Sequence, residues 1–114
     1  MARLSGNYQE TNIATIAAAI TLLNAHLTVE NARMIALGGA ATHITGSITL
    51  SIKAEDGAGN SVIHRITVSL DCPALADTAT LTAALSVFAT AVETESSYTT
   101  VVEVSTTLNV TMTN

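Results

Sequence analysis

Charged side chains are scarce in this chain: 11% of its 114 residues are Asp, Glu, Lys or Arg, less than half the roughly 25% of an average soluble domain. That excludes disorder driven by self-repulsion and a surface kept soluble mainly by Lys and Glu. Basic residues are the scarcest. Arg3, Arg33, Lys53 and Arg65 stand against nine acidic residues, for a formal net charge of −5. Phosphate backbones are held by clustered Lys and Arg, and no cluster is present. Aromatics make up 3% (Tyr8, Phe88, Tyr98) with no Trp, so single-strand stacking has no platform either. Direct nucleic-acid binding is not expected. The single cysteine, Cys72, forms no internal disulfide and has no CxxC partner for redox chemistry or zinc.

Other absences narrow the reading further. The start, Met1-Ala2-Arg3-Leu4-Ser5-Gly6-Asn7, has no apolar signal core, so no export signal is expected. The longest apolar stretch, Ile13–Leu27, is interrupted by Thr15, Thr21, Asn24 and His26 and is shorter than the ~20 apolar residues of a membrane span. No membrane partner is expected. His26, His43 and His64 show no i, i+4 pair and no HExxH. Glu55-Asp56-Gly57-Ala58-Gly59-Asn60 clusters oxygens around glycines but lacks the calcium ladder and its closing glutamate. Gly38-Gly39 and Gly57-x-Gly59 continue to no phosphate loop, and no GxSxG frame occurs. The sequence therefore assigns no catalytic residue, no metal ligand and no cofactor, and the expected protein is not an enzyme.

What is abundant is Thr, Ala and small aliphatics: Thr and Ala each supply about one residue in six, and 48% of the chain is hydrophobic. That length and apolar content suit one domain over 1–114. Residues 1–10 read as a polar arm. Thr11 or Asn12 is a candidate cap for a first helix at about 12–26, with Ile13, Ile16, Ile20, Leu23 and Leu27 on one face. Residues 34–37 read as a short buried strand ended by Gly38-Gly39. From Thr42 the period is two: Ile44, Gly46, Ile48, Leu50, Ile52 and Ala54 alternate with Thr, Ser and Lys, and Val62, His64, Ile66, Val68 and Leu70 return after the 55–60 turn as a hairpin. Asp71-Cys72-Pro73 opens a second helix whose stripe is Leu81, Leu85, Phe88 and Val92. A last alternating strand runs from Tyr98 to Met112, with Val101 the exception to its pattern. The expected fold is α+β in the order α-β-β-β-α-β, an antiparallel sheet with a central hairpin and two helices packed on it. Leu85 and Phe88 are expected in the core with Ile48, Leu50, Ile52, Ile66 and Val68. Ile13–Ile20 and Thr78–Leu85 look alike, as shared Ala/Thr composition alone, or an internal duplication, would make them.

The Thr/Ser strand faces bear on function. A free monomer is expected to carry more Lys and Glu there, to blunt sheet edges. The stretch from Tyr98 to Met112 would run about 50 Å if straight, at ~3.3 Å per residue. In a domain about 30–35 Å across, it must bend near Ser105–Thr107 or pair with another subunit. That reasoning places an inter-subunit contact at Leu108, Val110 and Met112 and expects a homo-oligomer.

The run Ile48-Thr49-Leu50-Ser51-Ile52-Lys53-Ala54-Glu55-Asp56-Gly57-Ala58-Gly59-Asn60, the second Thr-bearing strand, the Ala/Thr helix and the terminal Thr/Val strand resemble small structural proteins of bacteriophage particles. Tail-tube, head-decoration and coat subunits share this style, and the likeness covers residues 44–113. It implies a self-assembling subunit of a virion, made in the host cytoplasm and contacting its own copies and other particle proteins. The early helix departs from tail-tube proteins, which carry more strands and one main helix. The acidic balance and terminal strand depart from single-stranded RNA phage coats, so no functional residue is carried over. The alternative reading is a small monomeric or dimeric binding or adaptor domain.

Overall fold

The computed structural model describes residues 2–95 and 100–114, with side chains of the second helix described as far as residue 91. The order is β1 (Arg3–Ile13), α1 (Ile16–Ala36), β2 (His43–Glu55), β3 (Ser61–Cys72), α2 (Leu75–Glu95) and β4 (Thr100–Thr113). The four strands form one antiparallel sheet in the order β1-β4-β2-β3. Both helices lie on one face, side by side. This is the expected α+β layering, with a strand rather than a helix leading.

The hairpin is as expected. β2 and β3 pair without interruption from Ile44↔Cys72 to Glu55↔Ser61. Asp56 closes the turn: its carboxylate accepts from the amides of Ala58 (2.9 Å) and Asn60 (3.0 Å) and from Asn60 Nδ2 (3.0 Å). Those bonds, the Asn60 side chain's first, hold its carboxyl below the usual carboxylate range.

The N-terminal half differs from expectation at three points. Residues 3–10 are not an arm: they pair with β4 from Arg3↔Thr113 to Glu10↔Thr106. Ile13 still pairs, with Val104, after a register shift at positive-φ Asn12. Helix α1 therefore starts later than Thr11 or Asn12 would allow, capped by Thr15, whose hydroxyl accepts from Ala18 N at 3.1 Å. It then runs through the expected strand at 34–37, because Leu23, Leu27, Glu30 and Met34 continue one buried stripe. Gly38 and Gly39, at φ +142° and +149°, end it by turning their amides back to Ile35 O and Met34 O.

Helix α2 is where expected but rotated. Its buried positions are Thr78, Thr82, Leu85 and Ala89, while Phe88 is 38% exposed. Buried Thr is satisfied within the helix: Thr78 Oγ1 donates to Leu75 O at 2.6 Å and Thr82 Oγ1 to Ala79 O at 3.1 Å. Asp71 is not a helix cap but the penultimate residue of β3. The side chain of Val92, like Tyr98 and Thr99, lies outside the described residues.

β4 is an inner strand, paired with β1 on one side and β2 on the other. It has no break near Ser105–Thr107, because the molecule itself is long, 55 × 21 × 16 Å. Its irregularity is elsewhere: Lys53 faces Glu103 and Ala54 faces Val101, so Val102 is an extra residue in a bulge. The bulge is why Val101 broke the alternation. The core lies between sheet and helices, with Ile44, Ile48, Leu50, Ile52, Val104, Leu108 and Met112 fully covered by Leu23, Leu27, Met34 and Leu85.

The halves β1-α1-β2 and β3-α2-β4 are two split β-α-β units, each receiving the other's last strand in its gap. Their helices match from Ile16 and Leu75, so Ala19 corresponds to Thr78 and Leu23 to Thr82, all four buried. The structural repeat is thus in a different frame from the Ile13–Ile20 and Thr78–Leu85 likeness.

Candidate functional site

Two features stand apart from ordinary core and surface. The first is a polar cluster where α1 crosses β1. Glu30 occupies a position on the buried α1 stripe between Leu27 and Met34 and is only 1% exposed. The Tyr8 hydroxyl donates to its Oε1, and Arg33 Nη1 donates to the same oxygen at 2.9 Å. The Glu30 hydrogen bond, burial and the nearby carboxylate charge all raise the Tyr8 phenol above its ordinary value near 10.0. His26 stacks on the Tyr8 ring with centroids 4.3 Å apart, and its Nε2 lies 3.3 Å from Glu10 Oε1 without hydrogen-bond geometry. Gly6 makes the room: a Cβ there would sit 2.9 Å from Tyr8 Cε2 and 3.1 Å from Glu30 Cδ. The cluster is inward-turned. Tyr8 and Arg33 both donate to Oε1, and these bonds help seat α1 on the sheet.

The second feature is the side of the sheet the helices leave bare. Outside the register shift of β1 and the bulge of β4, odd-numbered strand residues line the open face, in rows rich in Thr, Ser and Asn with cross-strand bonds Ser5–Thr111 (3.1 Å), Thr49–Thr67 (3.0 Å) and Asn7 to Asn109. Arg65 Nε donates to Ser51 Oγ at 3.1 Å, and His43 Nε2 meets Asp71 Oδ1 at 2.8 Å. A depression of about 140 Å³ is lined by Ser51, Lys53, Ile63, Arg65, Glu103 and Ser105.

This face ends at β3, which is paired only on its β2 side. The edge is twelve residues long, with no Pro and no bulge. On its helix side Val62, His64, Ile66 and Val68 are only half-covered, and His64 Nε2 is enclosed with no partner among the described residues. On its open side Ile63 is 59% exposed. The other edge, β1, is interrupted by the register shift after Glu10 and carries the Gly6 gap. Of the two edges, β3 is the one with the features that favour pairing with another strand.

Leu108, Val110 and Met112 are brought together in the core, at 0%, 3% and 0% exposure. β1 and β2 take both sides of their strand. The reason for placing an inter-subunit contact on them, a strand outrunning a compact domain, falls away because the sheet is as long as the strand. His26, His43 and His64 lie apart, and among the described residues no group of His, Cys, Asp and Glu is arranged to hold a metal ion. Cys72 is buried, which pushes its thiol up. No helix of the described residues is long and apolar enough to cross a membrane. Neither protein-family models nor curated proteins match this chain.

The Glu30 cluster has one sequence signal: a carboxylate at stripe spacing between Leu27 and Met34. The β3 edge had a fainter one, Ile63 on an otherwise polar strand face.

Proposed function

We propose that this chain is a non-enzymatic, self-assembling structural subunit of the kind that bacteriophage particles use as tail, decoration or coat protein, with copies joined along β3. One observation carries the reading: a twelve-residue edge strand with no Pro and no bulge, flanked by half-covered Val62, Ile66 and Val68. Native sheets that stay monomeric blunt such edges with short strands, lysines, prolines or bulges. β3 is long and has no Lys, Pro or bulge, and its only charged residues are Arg65 and Asp71. The sparse charge supports the same conclusion, since Thr and Ser on strand faces are cheaper to desolvate at a contact than Lys and Glu. The phage assignment rests on the compositional resemblance of residues 44–113. Sedimentation velocity of the purified chain at tens of micromolar tests the reading. A species heavier than the 11.7 kDa monomer is expected, and a monomer throughout that range overturns it.

A further inference from the structure

We infer that two copies join through their β3 strands, antiparallel about a two-fold axis at Val68, so that Arg65 of each copy faces Asp71 of the other. This rests on the self-assembly reading and specifies its contact. A second copy is the natural occupant of this edge. The strand offers one unbroken row of backbone groups on its outer side, and a two-fold axis lets the same row satisfy itself.

The register follows from the faces. If the sheet continues with all helices on one side, paired residues must belong to the same face, so even numbers meet even and odd meet odd. The open-face row of β3 is Ile63, Arg65, Thr67, Ser69 and Asp71; the helix-face row is Val62, His64, Ile66, Val68, Leu70 and Cys72. Centring the axis on Arg65 or Asp71 sets like charges directly opposite, which is destabilising. Centring it on Thr67 places Asp71 against Ile63, and on Ile66 against Ser61. Centring it on Val68 sets Arg65 against Asp71 twice and Thr67 against Ser69 twice. On the helix side it sets Val68 on Val68, Ile66 on Leu70 and His64 on Cys72. The half-covered Ile66 and Val68 are thereby covered. The ladder then spans residues 64–72 of each copy and stops where Pro73, which has no N–H, follows.

Both charged partners have capacity left. Arg65 uses Nε on Ser51, and among the described residues its two terminal nitrogens bond nothing. Asp71 is 80% exposed in its side chain and engages His43 through Oδ1, leaving Oδ2. Directly opposed residues lie about 4.5–5.5 Å apart at Cβ, within reach of a guanidinium–carboxylate pair.

The test is a charge-exchange cycle read by sedimentation velocity at matched concentrations: wild type, Arg65→Asp, Asp71→Arg and the double exchange. Each single variant turns two attractive pairs into two repulsive ones and should weaken association roughly tenfold, while the double exchange should restore it to within about threefold. If the wild type is a monomer, both this contact and the self-assembly reading fail. If it assembles and the single variants assemble equally well, self-assembly stands and this contact is wrong. Weakened single variants with no recovery in the double exchange also refute the pairing. Should a charge variant not fold, by circular dichroism, Val68→Cys in a Cys72→Ala background replaces it. A short bis-maleimide should link it into dimers, because the axis passes through residue 68. Val62→Cys, displaced from its own copy by roughly 40 Å at ~3.3 Å per residue, should not link. Linking of Val62→Cys but not Val68→Cys overturns the register.

Discussion

Replacing Tyr8 by Phe and Glu30 by Gln, singly and together, measures how α1 is held on the sheet. Tyr8→Phe deletes one hydroxyl, whose bond goes to a carboxylate 1% exposed. Hydrogen bonds to charged groups contribute about 1.5–3 kcal/mol. Tyr8 is half-buried, so the lower end applies, about 1.5 kcal/mol. Glu30→Gln removes the charge from that bond and from the Arg33 bond. The Arg33 side chain is 62% exposed, so its share is screened to about 0.5 kcal/mol, for a total near 2 kcal/mol. The double variant loses the shared bond once, so it should also cost about 2 rather than about 3.5 kcal/mol, a coupling of about 1.5 kcal/mol. Reversible urea melts of the four proteins supply the numbers. Gly6→Ala should act on the same bond, since its Cβ would lie 2.9 Å from the Tyr8 ring and 3.1 Å from Glu30 Cδ, and its cost should shrink in the Glu30→Gln background. Additivity of Tyr8→Phe and Glu30→Gln within about 0.5 kcal/mol would refute the cluster as a unit.

Three further outcomes follow from the same geometry. In a Tyr98→Phe background, the phenol absorbance should show Tyr8 ionising above its ordinary value near 10.0, and Glu30→Gln should bring it down. Because the folded-state value is the raised one, the stability linked to Tyr8 should be intact below about pH 10 and be lost as the pH climbs through the folded value; unchanged titration in Glu30→Gln contradicts this. Leu85→Ala, at a fully buried site, should cost about 2–5 kcal/mol in a melt, whereas Phe88→Ala, at 38% exposure, should cost only about 1–2 kcal/mol; a reversed order would mean α2 is rotated the other way. Gly46→Ala should destabilise by at least about 3 kcal/mol, because at φ +133° its Cβ would sit 1.9 Å from Asn109 O of an inner strand. Gly57→Ala, with nothing within 4 Å, should be neutral or stabilising by up to about 1 kcal/mol.

The legible parts of the fold were those with strong local signals. The β2–β3 hairpin shows period two on both sides of a turn that Asp56 closes with its own carboxylate. β1 was illegible because its helix-facing positions, Leu4, Gly6, Tyr8 and Glu10, include a glycine and a glutamate; its strand character comes from β4 beside it. The extension of α1 was hidden by Glu30, which reads as a break in an apolar stripe and is instead a buried member of it. In α2 the large residues Leu81, Leu85 and Phe88 suggest one face, but of these only Leu85 is fully buried; the small Thr78, Thr82 and Ala89 share its covered side and let the helix sit close. That Leu108, Val110 and Met112 lie on an inner strand was illegible for a topological reason. Nothing local to β3 or β4 says which is an edge, since that depends on β1 and β2 closing around β4.

Amide hydrogen exchange, followed from well below to well above the association midpoint, tests the β3 contact most directly. The outward-facing amides of residues 64–72 lack a β-sheet partner in a single copy. The account predicts that they become protected as concentration rises, while the outer amides of β1 keep exchanging. Fast exchange along β3 in the assembled protein, or protection that grows on β1 instead, would contradict it.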